Sequence, residues 1–199
     1  MMQQPTPTVD YAAKYGLTAT HSAIVAAMSD VPPGRALDLG CGRGRNALYL
    51  QSQGFTVTAW DKNPASVQHL QHIIDAEGLS HINVAAVDLN TQRLSDSYDF
   101  IFSTVVFMFL DRAAIPSIIA DMQAHTRSGG HNLIVTAIDS PDYPCAVPFS
   151  FTFQPGELKQ YYQGWDILTH NEEVGELHRT DAHGNRIKMR FVTLLARKP

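Results

Sequence analysis

The chain has little that would staple, anchor or metallate it. Its 199 residues include only two cysteines, Cys41 and Cys145, with no Cys-x-x-Cys pair and no metal-ligand spacing. That excludes a disulfide scaffold and a zinc module, and it points to a reducing, cytoplasmic setting with no bound metal. No run approaches the roughly 18 apolar residues of a membrane span. The first eight residues carry neither a basic nor an apolar leader region and are expected, with Val9, to form a flexible tail. Charge is also scarce: 17% of residues are Asp, Glu, Lys or Arg, with a net charge of −4. No global attraction to nucleic acid or to an anionic membrane follows from that balance. With 44% hydrophobic residues, the chain is long enough to bury one sizeable core, and no repeat or linker divides it.

What is present is periodicity. The apolar run ending at Leu39 meets three alternate glycines, Gly40, Gly42 and Gly44, and the helical pattern Asn46–Gln53 follows at once. Strand, glycine turn and helix open a βαβ unit, and the helix N-terminus offers unpaired N–H groups to a polar ligand. Further strands are predicted over Phe55–Trp60, Ile82–Val87, Ser97–Val106 and His131–Ile138, with helices over Pro64–Glu77 and Arg112–Arg127 between them. A helix over Tyr11–Met28, broken near Gly16, precedes them. A short helix over Gln154–Gly164 and an antiparallel pair, Asp166–Val174 and Arg186–Arg197, close the chain. Alternating βα units imply a doubly wound, mostly parallel, seven-stranded α/β sheet with helices on both faces and an antiparallel last strand. The whole of residues 1–199 is expected to form one domain. Ligands in such sheets bind beyond the carboxyl ends of the strands. Asp38 with Gly40, Asp61, Asp88, Thr104 and Asp139 all fall there. The Pro-punctuated stretch Ser140–Gly156 is long enough to be a lid.

A dinucleotide fingerprint needs a third glycine three residues after Gly42, and Arg45 stands there instead. The pattern Asp38-x-Gly40-x-Gly42-x-Gly44 instead resembles the first motif of class I S-adenosylmethionine (SAM) methyltransferases. The acidic end of the second strand, Asp61, is placed for ribose hydroxyls, a role common to SAM and NAD sites, and also suits a helix cap. Asp88 suits an adenine amino group, with Leu89 against the ring, or a plain Asx turn. Thr18–Ser22 reads either as ligand-facing or as a helix cap. Phe107, Met108 and Phe109 are core residues, one of which could line a substrate cavity. The absence of an Asn/Asp-Pro-Pro-aromatic motif after the fourth strand argues against a nucleic-acid substrate.

Over nearly its whole length the chain resembles the TehB-type tellurite-resistance methyltransferases. The matching stretches include Thr18-x-Thr20-His21-Ser22, Leu37–Asn46, Ala59-Trp-Asp-Lys-Asn63, Asp142-Tyr-Pro-Cys145, Gly175-Glu-Leu-His-Arg-Thr-Asp181 and Gly184–Lys188. The resemblance implies SAM-dependent methylation of tellurite, with selenium oxyanions as further substrates and S-adenosylhomocysteine as product. It implies cofactor contacts at Tyr11, Asp38, Gly40, Gly42, Arg45, Asn46, Asp61, Lys62, Asp88, Leu89, Thr104 and Val105. It also implies that His178, Arg179 and Arg186 hold or orient the substrate; Asp139, from its place at the end of the fifth strand, is expected to orient one of these groups. From Glu176 to Pro199, six Lys or Arg (Arg179, Arg186, Lys188, Arg190, Arg197, Lys198) face two acids (Glu176, Asp181), which suits an oxyanion or a solvated hairpin. The partner expected is a small inorganic oxyanion, with no nucleic acid and no membrane, and the protein a monomer or homodimer. Methylation of another small molecule, a thiol or halide, and a non-catalytic SAM-binding module are the alternatives.

Overall fold

The computed structural model describes residues 8–199; the expected tail falls largely on residues 1–7, outside them. Seven strands form one sheet: β1 (Arg35–Leu39), β2 (Thr56–Asp61), β3 (Ile82–Ala86), β4 (Tyr98–Thr104), β5 (Thr126–Ile138), β6 (Asp166–Thr180) and β7 (Arg186–Arg197). Their order is β3-β2-β1-β4-β5-β7-β6. The first five are parallel, and β7 runs antiparallel between β5 and β6. This is the doubly wound sheet that the alternation of patterns implies.

Successive strand residues point to opposite faces, so each strand feeds two cores. Leu37, Leu39, Ile101 and Ile134 pack beneath α5 (Ile115–Ala124) and α6 (Glu157–Tyr161). Ala36, Phe100, Phe102, Leu133 and Val135 pack on the other face with α2 (Ser22–Ala27), α3 (Arg45–Ser52) and α4 (Pro64–Glu77). The short helix α1 (Tyr11–Lys14) is held to the end of α4, where Lys14 Nζ at 2.5 Å and the Tyr15 hydroxyl both donate to the Glu77 carboxylate. Among the described residues, no helix is long and apolar enough to cross a membrane.

Several boundaries differ from expectation, four of them for reasons the structure makes plain. The helix before β5 stops at Ala124, and Thr126 Oγ1 donates to the Met122 carbonyl at 2.7 Å. Gly129 and Gly130 therefore lie inside β5, where the β4 register jumps from Tyr98↔Thr126 to Phe100↔His131; a glycine pair in a strand marks such an irregularity. β4 ends at Thr104, two residues early, because Val105 turns to φ +59°. The break expected near Gly16 in the helix over Tyr11–Met28 is there but wider, separating two short pieces by residues 15–21. β6 continues to Thr180, so that Glu176 pairs Lys188 and Thr180 pairs Arg186. The turn that permits this is built by Asp181, whose Oδ1 accepts from His183 N and Asn185 N at 2.8 and 2.9 Å. Those donors hold the Asp181 carboxyl below its usual range.

Gly44 ends the glycine turn and stands at the head of α3 with φ +100°. A Cβ there would lie 2.5 Å from Leu70 Cδ1, a side chain fully buried in α4. Gly44→Ala is therefore expected to destabilise the protein by about 2–3 kcal/mol, from strain plus overpacking. The melting temperature read by differential scanning calorimetry should fall by roughly 4–12 °C at this chain length.

Candidate active site

A cavity of about 1050 Å³ opens beyond the carboxyl ends of β1, β2 and β4 and continues over β6 and β7. Its first wall is the glycine turn. Gly40 N and Cys41 N both donate to the Trp60 carbonyl at 2.8 Å, and Gly42 N donates to Asp61 Oδ2 at 2.8 Å. Three successive N–H groups are thus fixed to the end of β2. A Cβ at Gly40 would meet Val106 Cγ2 at 2.3 Å, so the turn closes tightly on the exit of β4. A Cβ at Gly42, at φ +54°, would meet nothing within 4 Å and would project into open space on the cavity wall.

Asp61 lines the cavity, and its second oxygen accepts from Asn63 N at 2.8 Å. The cap of α4 is Asn63, whose side chain accepts from Ala65 N at 2.9 Å, so Asp61 is not the cap. Asp88 Oδ1 accepts from Asn90 N at 3.0 Å, an Asx turn, while the residue also lines the cavity with Leu89 and Lys62. Asn46, buried in α3, accepts from His21 N and donates to Thr104 Oγ1, each at 3.0 Å. It fastens residues 16–22 to the end of β4. His21 serves both expectations: its Nδ1 accepts from Ala23 N at 3.1 Å to cap α2, and it lines the cavity with Thr18 and Ser22. Burial and the Arg45 guanidinium hold its imidazole below the usual range. Val105, a β-branched residue at positive φ, is a backbone outlier of the kind that collects at functional sites. Its N–H donates to the Val135 carbonyl at 2.7 Å.

Of the residues implied for the cofactor, Gly40, Gly42, Arg45, Asn46, Asp61, Lys62, Asp88, Leu89, Thr104 and Val105 share this cavity. Tyr11 does not; it lines a separate depression of about 360 Å³, of which Arg45 is a shared wall. Asp38 lies behind the glycine turn with 1% of its surface exposed. Its Oδ2 has no hydrogen-bond partner, and burial, with Asp61 nearby, pushes its carboxyl up to about 8.

The substrate residues separate. His178 reaches the cavity, and its Nδ1 contacts the Arg186 guanidinium at 3.0 Å. Arg186 itself sits outside, 3.8 Å from Glu176, and Arg179 is exposed on β6 away from the cavity. Asp139 is turned into the following loop, where its Oδ1 accepts from Cys145 N at 2.8 Å. That loop, residues 140–156, contributes nothing to the cavity wall. It is pinned from within: Arg190 grips Asp142 through Nε and a second nitrogen, and Phe151 and Phe153 enter the core. Arg190 holds the Asp142 carboxyl far below its usual range. The wall that sequence reasoning missed is Asn171, Glu173, Phe191 and Thr193. These belong to the sheet face of β6 and β7, and only the strand register reveals that they point the same way.

The family model of the tellurite resistance protein TehB matches residues 6–195. The chain belongs to the TehB family. The probable S-adenosyl-L-methionine-dependent methyltransferase TehB of Haemophilus influenzae strain 10810 is 52% identical over 188 residues, 94% of this chain and 65% of its own length. Hemagglutinin 1 of Eikenella corrodens is 53% identical over 186 residues, 94% of this chain and 62% of its own. The crystal structure of TehB from Haemophilus influenzae superposes with a TM-score of 0.90 at 51% identity, over 95% of this chain and 66% of that one. The chain thus spans about two thirds of the length of these TehB relatives, and its fold is that of the class I methyltransferases.

Asp38 supplies a test of the site's electrostatics. A buried carboxyl that favours its proton in the folded state binds more protons folded than unfolded between about pH 4 and pH 8. Its contribution to stability is therefore present at low pH and is lost as pH rises across that window. Asp38→Asn should raise the melting temperature of the ligand-free protein at pH 8 by a few degrees and change it little at pH 4, read by scanning calorimetry at both values.

Proposed function

We propose that the chain is one SAM-dependent methyltransferase unit, acting in the cytoplasm on tellurite and related chalcogen oxyanions. The observation that carries the cofactor assignment is the glycine turn locked to Asp61, with open space at Gly42 where a side chain would otherwise stand. The residues fit SAM: Asp61 offers a carboxylate for ribose hydroxyls, Asp88 and Leu89 a polar edge and an apolar face for adenine, and the Gly40–Gly44 turn a bare backbone for the methionyl part. An orphaned, buried carboxyl at Asp38 suits a neighbouring cationic amino group. When bound, SAM supplies an activated methyl group on a sulfonium.

The protein's part is positional. Asn46 holds residues 16–22 across the cavity mouth and so limits water around the reacting atoms. Val105 and Val106, at the exit of β4, define where an acceptor can approach. His178, with one ring nitrogen turned to Arg186, has its other nitrogen free to meet an acceptor oxygen. Tellurium(IV) carries its own lone pair, so no strong general base is required, and orientation supplies most of the rate. The tellurite reading rests on membership of the TehB family and on the His178–Arg186 pair. The two free cysteines, Cys41 and Cys145, suit a reducing compartment.

Calorimetric titration should show SAM binding, weakened by Asp61→Ala on the order of 1.5–3 kcal/mol through loss of charge-assisted hydrogen bonds. With tellurite as substrate, mass spectrometry of the headspace should detect volatile methylated tellurium, and Arg186→Ala should lower its rate while leaving SAM affinity nearly intact. Binding of NADH but not SAM would remove the assignment.

A further inference from the structure

The two halves of the cavity are lined by different kinds of side chain. Cavities of this size enclose ligands of drug-like dimensions. The Lys and Arg side chains among its described lining residues, Arg43, Arg45 and Lys62, all stand at the glycine turn, α3 or the end of β2. The opposite half is built from β6, β7 and the exit of β4. There the strand register sets Val135, Thr193 and Asn171 in one row, and Ala137, Phe191 and Glu173 in the next.

This half is apolar and aromatic, with acidic groups on it. Gly175 has no side chain where Phe191 needs room: a Cβ there would lie 2.8 Å from Phe191 Cδ2 and 3.1 Å from Cε2. The Phe191 ring thus covers the glycine and forms a flat patch of cavity wall, with Leu177 and Val105 in the same apolar cluster. Phe109, 55% exposed at the mouth, stands edge-on to Phe149 with ring centroids 5.5 Å apart. An exposed phenylalanine on a cavity rim leaves a face for a planar ligand. Glu173 and Glu176 are the charged groups of this half, and Glu176 is partly met by Arg186 at 3.8 Å. Away from the His178–Arg186 pair, an anion entering here faces the Glu173 carboxylate; an amine is drawn to it.

We propose that this half of the cavity accepts a second class of methyl acceptor, an organic amine with a planar aromatic body. The inference rests on SAM-dependent methyl transfer as the reaction. The aromatic body lies against Phe191 and Phe109, and the amine faces Glu173. The ammonium drawn to Glu173 first gives one proton to that carboxylate or to water, and the neutral amine's lone pair then forms the new N–C bond while the S–C bond breaks and its electron pair returns to sulfur. The methylated nitrogen then releases its extra proton to water. Excluding carboxylates of the same shape is the work of Glu173.

The test uses the full chain with SAM labelled in its methyl group, 2-phenylethylamine as the amine and 3-phenylpropionate as the anionic counterpart of similar shape. Labelled methyl should appear in the amine with a kcat/KM about tenfold or more above that for the carboxylate, because Glu173 attracts the one and repels the other. Glu173→Gln should reduce that ratio roughly threefold, as for a partly exposed charge pair. Phe191→Ala should raise KM for the amine about tenfold, the loss of one aromatic face. SAM binding by calorimetry, retained in both variants, shows that they are folded. Equal labelling of amine and carboxylate, or no labelling of either by protein that binds SAM and methylates tellurite, would overturn the proposal. Absence of SAM binding by the unaltered protein would instead remove the cofactor assignment, and this proposal with it.

Discussion

Three neighbouring N–H groups donated to two residues hold the site together. Gly40 and Cys41 share the Trp60 carbonyl, and Gly42 uses the Asp61 carboxylate. Nothing inside the turn could satisfy these donors, and a buried N–H without a partner costs about as much as a lost hydrogen bond. The end of β2 therefore fixes the end of β1. Everything downstream inherits that position: α3 starts at Gly44, Asn46 on its first turn reaches Thr104 on β4, and the same side chain captures the backbone of His21. The stretch around His21, which belongs to no strand, is placed by a chain of contacts that begins at the glycine turn, while α1 before it is held by Glu77.

The two halves of the cavity differ in how they are built. The half at β1 and β2 is made of backbone donors, turn carboxylates and strand ends, all local in sequence. The half at β6 and β7 is made of side chains projecting from one face of a long ribbon, positioned only by cross-strand register. The first is held by short-range hydrogen bonds, from the glycine turn to the end of β2 and within the turns that follow the strands. The second extends past the edge of β5 along paired residues with few neighbours, where Glu176 meets Lys188 across the strands and Asp181 organises the tip.

This division explains what the sequence disclosed. The strand–turn–helix entry, the acidic ends of β2 and β3 and the order of βα units were legible because each is written in consecutive residues with a distinct period. Pro64–Glu77 was read to the residue, since Asn63 caps it, Pro64 starts it and Gly78 ends it in the left-handed region. The grouping of the wall at β6 and β7 was not legible. Asn171, Glu173, Phe191 and Thr193 lie within the strand pair that the sequence discloses, but only the register of β6 against β7 shows that they share one face. Residues 140–156, whose length and four prolines suggest a lid, are fastened to the sheet by the buried Phe151 and Phe153 together with the Arg190–Asp142 pair, contacts that no local pattern announces.

The three glycines of the turn answer to different masters. Gly40 is kept by Val106 and Gly44 by Leu70, both contacts within the protein, whereas a side chain at Gly42 would meet nothing, and that position is constrained by its conformation and by whatever occupies the space before it. Under mutational drift these positions separate. A lineage that abandoned its ligand would keep the outer two, because losing them damages folding, and would release the middle one to residues that tolerate the left-handed region, such as asparagine. A glycine triplet with only its central letter changed is thus the scar that a disused pocket leaves in a fold still under selection.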